Sequence, residues 1–195
     1  LIDDADDPDG QTLTFKYPAA IPESGYLRAE VKIELGARSD TDPSAQPQIQ
    51  PYLAEVLPDA TGPSAFSVLT LDPRRTFLEK VCLLHEESYR SGDKAPAPRL
   101  SRHYYDIWCL IRAGTAKEAI ANPDLFKRVV AHREVFFRRS AQAQNSLRPG
   151  SLQLMPKRDY DAMRESMLFG DAPEFIEILG VVDEFQKQIN KVAEE

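Results

Sequence analysis

The stretch Asp72–Arg90, DPRRTFLEKVCLLHEESYR, decides the fold, because the character of the chain changes where it begins. Its first residue, an aspartate, suits a helix N-cap, and the proline that follows suits the first helical position, where no backbone N–H is needed. Apolar residues then recur at the spacing of a buried helical face: Phe77, Val81 and Leu84. The stretch therefore predicts a helix from Pro73 to about Arg90 that packs against a core.

Upstream of this helix the sequence is typical of strands and turns. Leu27–Leu35 alternates apolar and charged residues, which is the period-two pattern of a strand with one apolar and one polar face. Leu13–Tyr17 and Phe66–Leu71 are further strand candidates. Ser39–Pro51 is rich in Pro, Asp, Ser and Gln, and is predicted to be a loop.

Downstream, apolar spacing and helix-breaking residues predict a run of helices. We expect Ser101 to cap the second helix and Gly114 to end it. Further helices are predicted over Thr115–Ala121, Pro123–Arg139, Asp159–Leu168 and Pro173–Ala193, and loops over Gly92–Pro98 and Gln144–Lys157. A few strands followed by a helical majority form an α+β layout, with a strand-rich part over residues 1–72 and a helical domain over residues 73–195.

The composition is that of a soluble globular protein, with 42% hydrophobic and 28% charged residues among 195. The net charge of −7 argues against an all-round basic nucleic-acid binder, although a local basic patch remains open. No apolar run is long enough for a membrane span, and the acidic opening residues lack the features of a signal peptide. Cys82 and Cys109 fall inside apolar helical patterns, so we interpret them as reduced core residues of a cytoplasmic protein.

Charged residues at the margins of apolar faces are the candidates for chemistry, since the sequence lacks the GxxxxGK[ST], GxGxxG, HExxH, GxSxG and CxxC motifs. Lys80 lies at such a margin. Its stem either covers apolar surface with the charge in water, or the ammonium is offered to a phosphate. Asp106 lies at the edge of an aromatic face. It either pairs with Arg102, one turn earlier, or serves a site.

Two further groups of charged residues leave alternatives open. The polar face of Leu27–Leu35 is either a solvated sheet face or a source of metal-binding carboxylates, Glu30 or Glu34, of the kind that hold Mg²⁺ with substrate phosphates. A basic group is either a solvated surface or a contact for a triphosphate or an RNA backbone. This group comprises His132, Arg133, Arg138, Arg139, Arg148, Lys157 and Arg158.

An ordered set of segments resembles the AbiEii/AbiGii toxin family of nucleotidyltransferases, and the likeness covers nearly the whole chain. The segments are Val31–Ser39, Pro73–Lys80 with Leu84–His85, Ser101–Asp106, His132–Arg133 with Phe136–Phe137, Asp159–Tyr160 with Met163 and Met167, and Pro173–Phe175. The resemblance implies a polymerase-β-like nucleotidyltransferase core followed by a helical domain. It implies a toxin with a cognate antitoxin, which transfers a nucleotidyl group from an Mg²⁺-held NTP to an acceptor such as tRNA.

The same resemblance implies roles for particular residues. Lys80 matches the nucleotide-contacting lysine of the family, and Asp106 matches its later acidic motif, so both are expected to be catalytic. Arg102 and His103 are expected at the nucleotide, and Glu34 is a candidate metal ligand.

One departure from the family pattern concerns its opening motif, a GG[ST] turn with a closely spaced pair of aspartates on a strand. Neither occurs here, and the acidic residues of the opening stretch, Asp3, Asp4, Asp6 and Asp7, are too loop-like to replace them. We expect the motif to lie upstream of Leu1 or to be lost. The chain as given is therefore expected to be inactive.

The alternative function is a non-catalytic interaction module that binds a partner through the last helix. The apolar residues of that helix have a spacing that suits either a partner groove or the domain's own core: Phe175, Leu179, Val182, Phe185 and Ile189. The catalytic hypothesis makes a geometric prediction. Helices joined by a short loop pack as neighbours, so Lys80 and Asp106 should lie within roughly 10 Å of each other, with Glu34 lining the same cleft.

Overall fold

The computed structural model describes residues 11–20, 22, 28–36, 40–88, 99–136, 154–168 and 170–193. Its strands are β1 Thr12–Lys16, β2 Glu30–Glu34, β3 Ser44–Ala45, β4 Gln48–Ile49, β5 Phe66–Ser67 and β6 Thr70–Leu71. Its helices are α1 Leu53–Val56, α2 Pro58–Thr61, α3 Pro73–Ser88, α4 Ser101–Arg112, α5 Thr115–Ile120, α6 Pro123–Phe136, α7 Leu154–Met167 and α8 Phe175–Ala193. The predicted α+β class is confirmed, while a polymerase-β-like arrangement stays a prediction.

The described strands form three separate antiparallel pairs. β1 pairs with β2, and this register places Leu13 opposite Ile33 and Phe15 opposite Val31. The predicted alternation therefore puts these apolar side chains on one face of the hairpin. Val31 and Ile33 are nevertheless exposed on that face.

The other two strand pairs, with the helices between them, form a unit that we call the arm, residues 44–71. β3 pairs with β6 and β4 pairs with β5, and the short helices α1 and α2 lie between β4 and β5. The predicted third strand, Phe66–Leu71, is present as the two short strands β5 and β6. The prediction of a loop over Ser39–Pro51 is wrong at β3 and β4, because these two-residue strands carry no alternation and are fixed by partners far along the chain.

The base of the arm is tied to the helices by ion pairs. Arg75, buried on α3, donates from Nη1 to Asp40 Oδ2 at 2.9 Å and to the carbonyl oxygen of Asp42 at 2.7 Å. Arg128 on α6 donates to the carboxylates of both aspartates, and its hydrogen bonds are the main cause that lowers the pKa of Asp40. Polar contacts therefore cross the domain boundary predicted near Asp72, and the boundary itself stays a prediction.

Helix α3 is central to the hydrophobic core. It packs against α4, α5 and α6, and α4 also packs against α7 and α8. The most completely buried apolar side chains include Phe77, Leu84, Tyr104, Ile107, Val129, Tyr160, Ile178 and Val182. The buried face predicted for α3 is thus confirmed.

The last helix, α8, buries its apolar face in the chain's own core. Phe175, Val182 and Phe185 are buried, and the Phe185 ring meets the Phe77 ring edge to face with 5.0 Å between centroids. Leu179 and Ile189 pack partly buried against the same core. Self-packing therefore explains the spacing, and this face does not support the alternative of a partner-binding helix.

The start of α4 differs from the sequence prediction. Leu100 is the N-cap, and Ser101 is the first helical residue. The backbone N–H of Ser101 donates to Asp159 Oδ2 at 2.9 Å, and its hydroxyl donates to the same oxygen at 2.6 Å. The prediction that Ser101 caps the helix is wrong, because an aspartate from α7 satisfies the first turn instead.

Other helix ends follow the sequence more closely. Gly114, with φ of 83°, ends α4 in the left-handed conformation that glycine adopts without strain. The predicted start of α7 at Asp159 is wrong, because the helix begins at Leu154, inside the predicted loop Gln144–Lys157. Pro156 falls in the first turn, where proline removes no helical hydrogen bond, so it does not break the helix. The predicted loop over Gly92–Pro98, the first part of the later loop and the predicted helix beyond Phe136 lie outside the described residues.

Candidate catalytic site between two helices

Lys80 and Asp106 meet between α3 and α4. The ammonium of Lys80 donates a hydrogen bond to Asp106 Oδ2, with 2.7 Å between Nζ and Oδ2. The prediction that the two groups lie within roughly 10 Å is therefore confirmed. Within the described part of the chain no ion pair joins Asp106 to Arg102, so the alternative of an intrahelical pair is wrong.

The position of Lys80 follows from the sequence of α3. Phe77 and Val81, on either side of it along the helix, are buried, so the lysine stem follows apolar surface and carries its ammonium to the edge of the core. The side chains of Lys80 and Asp106 are 23% and 41% exposed. A solute can therefore reach the pair from solvent.

His103 is the third member of this site. Its Nδ1 lies 3.5 Å from Lys80 Nζ, and it precedes Asp106 by three residues, which places both side chains on the same side of α4. Burial of the ring, followed by the positive charges of Lys80 and Arg102, lowers the pKa of His103 to about 4. The ring is uncharged near neutral pH, so its Nδ1 can accept a hydrogen bond.

The rest of α4 is held firmly around these two side chains. Ser101, Tyr104 and Ile107 are buried, and Ser101 is bound to Asp159 as described above. The Tyr104 ring also meets the Phe175 ring edge to face with 5.8 Å between centroids. The turn of α4 that carries His103 and Asp106 is therefore fixed from α7 and α8.

The structure does not gather every predicted residue at this site. Arg102 is exposed on α4 and influences the site through its charge on His103. Glu34 lies on β2, where its carboxylate pairs with Lys32 at 3.3 Å and is 73% exposed. Among the described residues, no hydrogen bond or ion pair joins Glu34 to Lys80 or Asp106, and its place in the same cleft stays a prediction.

Two members of the predicted basic group are used in ion pairs. Arg133 donates from Nε and Nη2 to Glu86 at 2.9 and 2.7 Å, where it joins α6 to α3. Lys157 donates to Asp161 at 2.7 Å, one turn along α7. Three further members, Arg138, Arg139 and Arg148, lie outside the described residues.

A metal ion needs several oxygen or nitrogen ligands in one place. In the part of the chain that the structure describes, no group of three or more His, Cys, Asp and Glu side chains is arranged to hold one. The described residues do not by themselves fit a Mg²⁺ site.

The sequence missed the residue that positions the start of α4. Asp159 reaches Ser101 across 58 positions of the chain, and no local spacing signals that contact. The sequence did contain a signal for the place of His103 beside Lys80, because a histidine three residues before an aspartate lies on the same helical face as that aspartate. The family resemblance implied a place for His103 at the nucleotide and did not imply its contact with Lys80.

The cysteines and the helices bear on two other interpretations, a reactive thiol and a membrane span. Both cysteines are free, and burial raises the pKa of Cys82 to about 12, so this thiol is a core residue. Among the described helices, none has the length and apolar character needed to cross a lipid bilayer.

Comparison with known proteins identifies one family. The sequence model of the nucleotidyl transferase AbiEii toxin family, type IV toxin–antitoxin system, matches residues 2–190. No curated protein and no solved structure matches the chain significantly. The match extends over nearly all of the 195 residues and includes the helices that carry Lys80, His103 and Asp106. The chain therefore belongs to the AbiEii family of nucleotidyl transferase toxins of type IV toxin–antitoxin systems.

Proposed function

We propose that Lys80 and Asp106 are the catalytic pair for nucleotidyl transfer from an NTP to an acceptor hydroxyl. The observation that carries this proposal is the 2.7 Å contact between Lys80 Nζ and Asp106 Oδ2, formed by residues 26 positions apart at the solvent margin of the core. Family membership supports the reaction class, since the family is one of nucleotidyl transferases.

The exposure of the pair indicates that the fold has little need of it. Ion pairs with this much solvent contact contribute about 0–1 kcal/mol to stability, because water competes for both charges and the side chains lose entropy. The Lys80 ammonium can therefore serve a ligand without a large cost in stability.

The chemistry of the reaction matches what Lys80 offers. The acceptor oxygen bonds to the α-phosphorus, the bond from that phosphorus to the oxygen that bridges the α- and β-phosphates breaks, the acceptor's proton passes to solvent water, and pyrophosphate leaves with the negative charge. An ammonium beside the phosphates offsets that charge. Lys80 has three hydrogen atoms to donate, and Asp106 takes one of them. Arg102 and His103 are proposed at the nucleotide beside it, where an exposed guanidinium can bind phosphate oxygens in pairs.

Mg²⁺, the polymerase-β-like core and the macromolecular partners are proposed from the family chemistry. Mg²⁺ would supply positive charge to the NTP phosphates, with Glu34 as a candidate ligand, and the described residues do not assemble a complete set of its ligands. The sequence contains no GG[ST] turn with an aspartate pair, so we propose that the 195 residues alone do not catalyse transfer. The proposed acceptor is tRNA or another RNA, and the proposed protein partner is a cognate antitoxin.

The test uses the full-length toxin, with growth arrest and nucleotidyl transfer from labelled NTPs as readouts. Lys80→Ala and Asp106→Asn are each expected to abolish both while the far-UV circular dichroism spectrum stays unchanged. Asp161→Asn is a matched control, since Asp161 also accepts from a lysine at 2.7 Å and is 42% exposed, close to the 41% of Asp106. Lys117→Ala, at an exposed lysine on α5, is the control for Lys80. Wild-type growth arrest in the Lys80→Ala variant contradicts the proposal. Unfolding of the Asp106→Asn variant indicates a structural pair instead.

A further inference from the structure

We propose that His103 is a positioning residue that holds the Lys80 ammonium through its Nδ1. His103 then acts on the nucleotide through Lys80 and not by a direct contact of its own. This inference rests on the proposed function of Lys80. The inference concerns which nitrogen of the imidazole contacts Lys80, and therefore which side chains can replace His103.

The geometry begins with the three hydrogen atoms of the Lys80 ammonium. Asp106 Oδ2 accepts one at 2.7 Å, and His103 Nδ1 lies at 3.5 Å, within reach of a second. Both acceptors come from successive turns of one face of α4, while the lysine comes from α3. Two acceptors on a rigid helix orient a flexible four-carbon stem, and the third N–H is left for a phosphate oxygen.

The surroundings of His103 favour an uncharged ring, and the nearby ammonium of Lys80, which can only donate, favours Nδ1 as the acceptor. The charged groups that act on the ring are Lys80 from α3 and Arg102 and Asp106 from α4. The two cations and the burial of the ring oppose a proton, and they outweigh the single carboxylate. A neutral imidazole that accepts at Nδ1 carries its hydrogen on Nε2. The ring can therefore orient the Lys80 ammonium through Nδ1 without adding a second positive charge beside it.

The first test reads the contact itself and needs no enzymatic activity. In the ¹⁵N-histidine-labelled chain, a long-range ¹H–¹⁵N NMR spectrum is expected to show the ring of His103 with hydrogen on Nε2 only. The signal is assigned by its loss in the His103→Asn variant, because the chain has two other histidines. In Lys80→Met, Nδ1 should move downfield as its hydrogen bond is lost, and the ring should titrate at a higher pH. Lys117→Met should change neither. Hydrogen on Nδ1, or a spectrum unaffected by Lys80→Met, overturns the proposal.

The second test separates positioning from packing and from direct substrate contact, with three substitutions in the full-length toxin. His103→Asn can place a carbonyl oxygen where Nδ1 stood, His103→Gln reaches instead to the place of Nε2, and His103→Leu offers neither. We expect His103→Leu to lower kcat/KM for NTP by about tenfold, the effect of one lost hydrogen bond, and His103→Asn to recover all but about threefold.

The alternative roles of His103 give other orders of activity. A purely structural ring leaves His103→Asn as impaired as His103→Leu, and a direct nucleotide contact makes His103→Gln the better replacement. Either order, or a His103→Leu variant as active as wild type, overturns the positioning role. If Lys80→Met is itself fully active, the proposed function fails, and the NMR result still decides whether His103 holds the lysine.

Discussion

Lys80→Met is expected to leave the fold almost as stable as the wild type, although it removes the central charge of the site. Methionine keeps the apolar stem, and the carboxylate left behind, on Asp106, is 41% exposed and therefore solvated. The expected loss in the free energy of unfolding is about 1 kcal/mol or less. For a chain of this length, a loss of that size lowers Tm by about 2–4 °C at most.

Arg133→Met is the matched comparison, because it also breaks one ion pair between helices. The side chains of Arg133 and Glu86 are only 8% and 14% exposed, and two hydrogen bonds join them. Removing the arginine leaves a buried carboxylate without its partner, which costs about 3–5 kcal/mol. Both variants lose one cation, so the expected difference between their losses in unfolding free energy comes from the solvent exposure of the partner left behind.

Urea unfolding followed by circular dichroism measures both variants on the 195-residue chain. A loss at Lys80→Met as large as that at Arg133→Met refutes the reasoning. Lys80 would then be a structural residue, and the physical argument for a catalytic lysine would be lost. A small loss at Lys80→Met, together with loss of growth arrest in the full-length toxin, is the expected result.

Three further predictions concern the surroundings of the site. Asp159→Asn is expected to lower the free energy of unfolding by about 1–2 kcal/mol, since an amide accepts more weakly from the Ser101 N–H and hydroxyl, and thermal melts against Asp161→Asn measure it. Lowering the pH from 6.5 towards 4 is expected to destabilise the fold by on the order of 2 kcal/mol, because in this window the unfolded His103 ring binds a proton and the folded ring does not. His103→Asn should reduce that slope in urea titrations across the same window, with His85, whose pKa burial also lowers, supplying part of the remainder, and an unchanged slope contradicts the assignment. Thiol reagents are expected to modify Cys109 before Cys82, whose pKa burial raises to about 12, and equal rates disagree with that burial.

The parts of the fold that the sequence predicted are those set by local periodicity. The three-four spacing of Phe77, Val81 and Leu84 fixed which face of α3 is buried, and Lys80 therefore had to lie at its margin. Both helices have an apolar face that needs burial, so α3 and α4 were expected to share a core, and Asp106 lies beside Lys80 where they do. The connection itself contributes less, because α3 ends at Ser88 and α4 begins only at Ser101.

The parts that the sequence did not predict depend on partners far along the chain. Ser101 looked like a cap from its own position, but its partner is Asp159 on α7. β3 and β4 have no pattern of their own, since each is two residues long and is defined by pairing with β6 and β5. For the same reason, alternation in β2 predicts which face carries Glu34 and does not predict what that face meets.

The placement of strong and weak ion pairs along α3 is consistent with the catalytic role proposed for Lys80. On one side of Lys80, Arg75 is fully buried and bound to Asp40, and on the other Glu86 is bound to the buried Arg133. These contacts fix the helix backbone where water is excluded and an unpaired charge would be costly. The contact of Lys80 itself is partly exposed, so the ammonium is accessible to a phosphate while Asp106 holds it. A binding site of this kind needs a rigid scaffold and an accessible charge, and α3 supplies both along a single helix.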